Sequence, residues 1–93
     1  MPESDPPGER ELLGFPCDFP IKVMGRSEEG FEDLVVAIVR RHAPDLGEGD
    51  VQVRDSRGGN YLSVTVTIRA ESREQLDAIY RDLTADERVL MAL

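Results

Sequence analysis

The chain holds one cysteine and one histidine, and their surroundings limit the chemistry either could perform. Cys17 stands in FPCDFPIKVMG, residues 15–25. To act as a nucleophile it would need a neighbouring base or a positive field, because a free thiol has a pKa near ~8.5. Its sequence neighbour is Asp18, which works the other way. To hold a metal it would need companions such as the second cysteine of a C-x-x-C pair, and the only imidazole, His42, lies among arginines in RRHAP. No catalytic residue, metal site or cofactor is therefore expected, and Cys17 reads as an inert thiol at the entry to an apolar segment.

A second group with possible chemistry surrounds two glycine-bearing stretches. Gly25, Arg26 and Ser27 follow the first apolar segment, and Gly58, Gly59, Asn60 and Tyr61 lie between two later ones. Glycine permits close backbone approach. Free amides near Ser27, at the start of a helix, would suit an anion with help from Arg26, while Glu28 and Glu29 oppose it. Whether these residues form a small-ligand site or only tight turns depends on what brings them together.

The elements follow from periodicity. Phe19, Ile21 and Val23 alternate with Pro20, Lys22 and Met24, the period of a half-buried strand closed by Gly25. Pro20 lacks a ladder donor and must sit near the strand's start or where nothing pairs with it. Ser27 is expected to cap a helix with Glu28, Glu29, Glu32 and Asp33 in its first turns. Phe31, Leu34, Val35, Ile38 and Val39 share one face of that helix, and Pro44 stops it after Arg40, Arg41 and His42. Val51 and Val53 mark a second strand, SRGGN a hairpin, and Leu62, Val64, Val66, Ile68 and Ala70 the inward face of a long third strand. Ser72 with Gln75 forms a capping box before a helix bearing Leu76, Ile79, Tyr80 and Leu83. A short strand over Arg88 to Leu93 ends the sequence.

The order β-α-β-β-α-β with two amphipathic helices predicts a two-layer α/β sandwich of ferredoxin-like type. Its four-stranded antiparallel sheet would run in the order 4-1-3-2, with both helices on one face. This topology brings Gly25, Arg26 and Ser27 beside Gly59, Asn60 and Tyr61 at one end of the sheet. It also leaves the other face open. Lys22, Arg54, Arg69 and Arg88, one from each strand, are expected there with Thr65 among ordinary polar strand residues. That face could be merely solvated, or it could dock an acidic protein partner or a second copy of the chain.

Composition narrows the partners further. Ninety-three residues make one domain, able to bury roughly 60 to 65% of its unfolded surface. Residues 1–14 carry five prolines and glycines with four acids against Arg10, and are expected to be a flexible acidic tail before a single domain over 15–93. A net charge of -8 opposes nucleic acid and anionic membranes as partners. The RNA-recognition motif shares this topology but stacks bases on several aromatics of a basic domain, whereas only Tyr61 is available here. Acylphosphatases place an arginine after the first strand, yet VMGRSEEGF packs acids where a phosphate would go. Without a basic, apolar leader or a long apolar run, a cytoplasmic location is expected.

FPCDFPIKVMG with RRHAP, SRGGNYLSVTVTIRA and the final VLMAL resemble the YbeD-like family of small bacterial proteins, over about residues 15–93. The most specific parts are KVMG at Lys22 to Gly25 and GNY-x-SV at Gly59 to Val64. The resemblance implies a ferredoxin-like fold similar to the ACT regulatory domains of amino-acid metabolism. It implies no established activity and a loose connection with lipoate metabolism. ACT-like domains bind small effectors between paired subunits near the loop after the first strand, the place of Gly25, Arg26 and Ser27. The Asp-x-x-Gly character of effector-binding members is missing at that place. Two readings result: a non-enzymatic regulatory or interaction module, or a sensor of an amino acid or other small anion.

Overall fold

The computed structural model describes residues 14–93. The acidic tail expected over residues 1–14 lies outside them except for Gly14. Strand β1 (Cys17–Arg26) leads to helix α1 (Phe31–Arg40), a 3-10 turn (Glu48–Asp50), β2 (Val51–Asp55), β3 (Tyr61–Ala70), helix α2 (Arg73–Thr84) and β4 (Val89–Ala92). The strands form one antiparallel sheet in the order β2-β3-β1-β4, the ferredoxin-like order expected, read from the other edge.

The long β1–β3 ladder is the centre of the sheet. It pairs Cys17 with Ala70 and runs without interruption to Arg26 opposite Tyr61. One face of this ladder carries Ile21, Val23, Val64, Val66, Ile68 and Ala70, all buried. Phe31, Val35, Ile38 and Val39 of α1 and Leu76, Ile79 and Leu83 of α2 close over it. Leu34, expected on the buried face of α1, is only half-buried at its margin. Val53 points to the helix side of the edge strand β2 but remains 43% exposed, because the helices cover the central strands first.

Pro20 pairs with Thr67, one pleat period before Lys22. Lys22 exchanges both backbone hydrogen bonds with Leu93, at 3.0 and 2.8 Å. The missing amide of Pro20 therefore faces the same side as β4, but short of the stretch that β4 covers.

Two helix starts differ from each other. At α2 the Ser72 hydroxyl accepts the Gln75 amide at 3.1 Å, as the capping box requires. Gln75 does more than cap. Its carbonyl oxygen accepts the Glu71 amide at 2.6 Å and its amide nitrogen donates to the His42 carbonyl at 2.7 Å, tying α2 to the turn after α1. Helix α1, by contrast, is not capped by Ser27. It begins only at Phe31, after Gly30 at φ 87°, with no side-chain cap. The Ser27 amide donates instead to the Asn60 carbonyl at 2.9 Å, which extends the β1–β3 pairing past Arg26. A turn follows, in which the Phe31 amide donates to the Glu28 carbonyl at 3.2 Å, and Gly30 provides the left-handed step that leads into the helix.

The late start places Phe31, 1% exposed, against Gly25. A β-carbon at Gly25 would fall onto the Phe31 ring and within 2.6 Å of the Arg88 carbonyl. Gly25→Ala is expected to destabilise the fold by about 1 to 3 kcal/mol or more through overpacking. Val66→Ala should cost roughly 2 to 4 kcal/mol, and Leu34→Ala distinctly less because of its partial exposure. Urea denaturation of the three variants tests this order, and equal losses at Val66 and Leu34 would contradict the burial described.

Candidate interaction face

The sheet surface away from the helices can be read as rows across the strands. Asp18 lies beside Arg69, Pro20 beside Thr67, and Lys22 beside Thr65 and then Gln52. The next row is Met91, Met24, Ser63 and Arg54, and beyond it Arg26 faces Tyr61. Leu93 adjoins Lys22 through the hydrogen bonds given above. A shallow groove of 530 Å³ runs over this surface, lined by Lys22, Met24, Gln52, Arg54, Tyr61 and Thr65 among others.

The cations on this face are not equivalent. Arg69 Nη1 lies 3.3 Å from Asp18 Oδ1, an exposed pair worth at most about 1 kcal/mol. Lys22 and Arg54 form no ion pair among the described residues and stand within the groove. Arg88, expected in the last strand, instead lies one residue before β4. Its backbone amide and its Nε reach Asp86 Oδ1 at 2.9 and 3.4 Å. These contacts, the backbone hydrogen bond first, hold the Asp86 carboxyl below its usual range despite some desolvation.

Beyond Met24, the sequence reading missed the apolar part of the face. Strict alternation from Arg88 would turn Met91 and Leu93 toward the helices. The β1–β4 register shifts between Met24 and Gly25, so that Gly25 pairs with Val89 and Met24 with Met91, leaving Leu90 as the extra residue. That bulge sends Met91 and Leu93 to the open face, where they are 48% and 62% exposed. A strand of four residues with apolar side chains on both parities gives no local signal of such a shift.

At the glycine end, Arg26, Ser27, Asn60 and Tyr61 do meet, through the Arg26–Tyr61 pair and the Ser27–Asn60 hydrogen bond. Gly59, at φ 75°, sits in the hairpin, which Ser56 closes by bonding Tyr61 through its amide and its hydroxyl. Gly25 faces the other way and is filled by Phe31. The Ser27 amide, expected free for an anion, is already donated to Asn60. Arg26 borders a separate depression of 470 Å³ with Glu28, Glu87, Arg88 and Leu90, so two carboxylates offset its two guanidinium groups.

The remaining reactive side chains are placed elsewhere. Cys17 is half-buried at the start of β1, against the margin of the core. His42 Nε2 is 2.7 Å from Asp82 Oδ2, and Arg41 Nη1 lies 3.7 Å from the same oxygen. Among the described residues, no group of three or more His, Cys, Asp or Glu side chains could hold a metal ion. No described helix is long and apolar enough to cross a membrane.

These features define a ferredoxin-like βαββαβ protein with one sheet face under helices and the other left open by the described residues. Compared with known families, residues 10–93 match the family described as "Protein of unknown function (DUF493)". The chain belongs to this family, in agreement with the YbeD-like resemblance. It is 49% identical over 85 residues to the UPF0250 protein NE1487 of Nitrosomonas europaea, covering 91% of this chain and 98% of that one. It is 56% identical over 82 residues to a UPF0250 protein of Ectopseudomonas mendocina, covering 87% and 89%. Among solved structures, the solution structure of protein HP0495 from H. pylori superposes with a TM-score of 0.69 at 9% identity, over 100% of this chain and 98% of that one. At that identity the likeness speaks for the fold alone.

The cluster around Asp82 has a pH signature. The hydrogen bond with His42 holds the Asp82 carboxyl below its usual range; desolvation opposes it, and the nearby Arg41 and Arg81 charges lower it further. A carboxyl with a depressed folded pKa stabilises the fold above its unfolded pKa of about 3.9 and loses that contribution as pH falls through the folded value. Asp82→Asn should therefore lower stability near neutral pH, and its difference from the wild type should shrink below about pH 4. Denaturation midpoints across the acid range check this, and a difference independent of pH would refute the pairing.

Proposed function

We propose that this protein is a non-enzymatic interaction module, regulatory in character, that engages another protein through its open sheet face. The observation that carries this reading is the segregation of side chains on the sheet. Both helices cover one face, while the other keeps Lys22 and Arg54 without a described acidic partner, beside exposed Met91 and Leu93, in a chain of net charge -8. A solvated face needs neither the exposed methionine and leucine nor so few acids around Lys22 and Arg54. Arg26 and Tyr61 continue the face toward the hairpin, so the glycine end forms its border.

The competing reading, a sensor of an amino acid or other small anion at the glycine end, is weakened by the commitment of the Ser27 amide to Asn60 and by Glu28 and Glu87 beside Arg26. A thermal-shift screen separates the two, since a ligand at one hundred times its dissociation constant adds about 2.7 kcal/mol of stability. A broad set of metabolites should leave the melting temperature unchanged. A partner captured from the native cell and then purified should perturb the amide resonances of Lys22, Arg54 and Thr65. Perturbation confined to the helix side, or a metabolite that raises the melting temperature, would sink the docking reading.

A further inference from the structure

The chemistry of the occupant can be read from the same face, and the following rests on the docking reading above. We infer that the open sheet face takes an acidic amphipathic helix of a partner protein, with its carboxylates at Lys22 and Arg54 and its apolar stripe on Met24, Met91 and Leu93.

Charge selects the occupant first. Of the open-face positions on the four strands, only Asp18 is acidic, and Arg69 holds it at the far end of the ladder. Asp55, on the other parity of β2, borders the groove at its rim. The half of the face bearing Lys22 and Arg54 thus presents two exposed cations, with Gln52, Ser63 and Thr65 offering hydroxyl and amide donors between them. In a chain with 19 acidic and 11 basic residues, such a field selects an anionic partner.

The apolar part requires more than an anion. Met24 and Met91 stand side by side across β1 and β4, with Leu93 in the neighbouring row. Methionine is flexible and polarizable, and it fills irregular gaps against another apolar surface. An inorganic anion or a small carboxylate would leave these side chains in water.

Dimensions favour a helix. Four strands about 4.8 Å apart span roughly 14 Å between the outer two, which a helix of about 10 to 12 Å diameter covers as a third layer. Lys22 and Arg54 are two strands and one pleat period apart, about 12 Å by strand spacing. Side chains at i and i+7 of a helix are separated by about 10.5 Å along its axis and lie on one face, so two such carboxylates reach both cations.

A second copy of this chain fits less well, because stacking two open faces sets each copy's Lys22 and Arg54 against a surface with the same exposed cations. Like charges so placed oppose association. Nucleic acid is disfavoured by the net charge and by Tyr61 standing as the only aromatic on the face.

The test uses the full chain and a synthetic peptide of roughly 18 residues, long enough to be helical, with a leucine stripe flanked by glutamates. Two counterparts carry glutamine or lysine in place of every glutamate. The glutamate peptide should bind below ~1 mM and shift the amide resonances of Lys22, Met24, Ser63 and Arg54. Affinity should fall several-fold between ~50 and ~500 mM salt. The exposed double substitution Lys22→Glu with Arg54→Glu should weaken binding at least roughly tenfold without changing the melting temperature.

If the glutamine or lysine peptide binds the same face as tightly, the acidic chemistry is wrong while the docking reading stands. If the glutamate peptide binds elsewhere or not at all, the inference is overturned, and the purified partner then tests the docking reading by itself. Concentration-dependent self-association that shifts the same open-face resonances would assign the face to a second copy and overturn the inference.

Discussion

The ring of Phe31 lies on Gly25 with no space for a β-carbon between them, and both layers of the protein are arranged around that contact. On one side it fixes where α1 begins, because Phe31 reaches the sheet only if the chain has first turned through Gly30. On the other it marks the point where β4 changes register. Val89 pairs with Gly25, and the strand then gains a residue before Met91 meets Met24. The seating of a helix on the covered face and the shift that brings a methionine to the open face therefore meet at one residue, Gly25. Interiors packed to crystal density transmit such constraints, since neither partner can yield without moving its neighbours.

Much of this architecture is legible in the sequence because its strongest signals are periodic. In β3, five inward and five outward residues alternate, so that a shift of one position would expose Val64, Val66 and Ile68. The Ser72–Gln75 cap is equally plain, because a hydroxyl three residues before a glutamine satisfies amides that would otherwise be orphaned. The proximity of Arg26 and Tyr61 follows from the topology once β1 and β3 are paired.

What escaped the sequence lies where two local preferences compete. Ser27 is a good helix cap by type, but its amide extends the strand pairing to Asn60, and the turn that follows puts Gly30 at the helix start instead. Similarly, VLMA is apolar on both parities, so its own pattern leaves open the register that the bulge opposite Met24 and Gly25 sets. Arg88 has the parity of the open face in the sequence, yet Asp86 two residues away holds it beyond the ladder. In each case a contact made in space decides between assignments that the local sequence leaves equal.

Pro20 carries a consequence for solubility. From Lys22 to Gly25 β1 is flanked on both sides, but over its first residues it has, among the described residues, a partner only in β3, and its other side is an open row of backbone groups. Such a margin can recruit a strand from another molecule and seed a growing aggregate. Proline at that position removes a donor from the open row and interrupts the template. Pro20 thus guards the first strand over the stretch that the last strand does not cover.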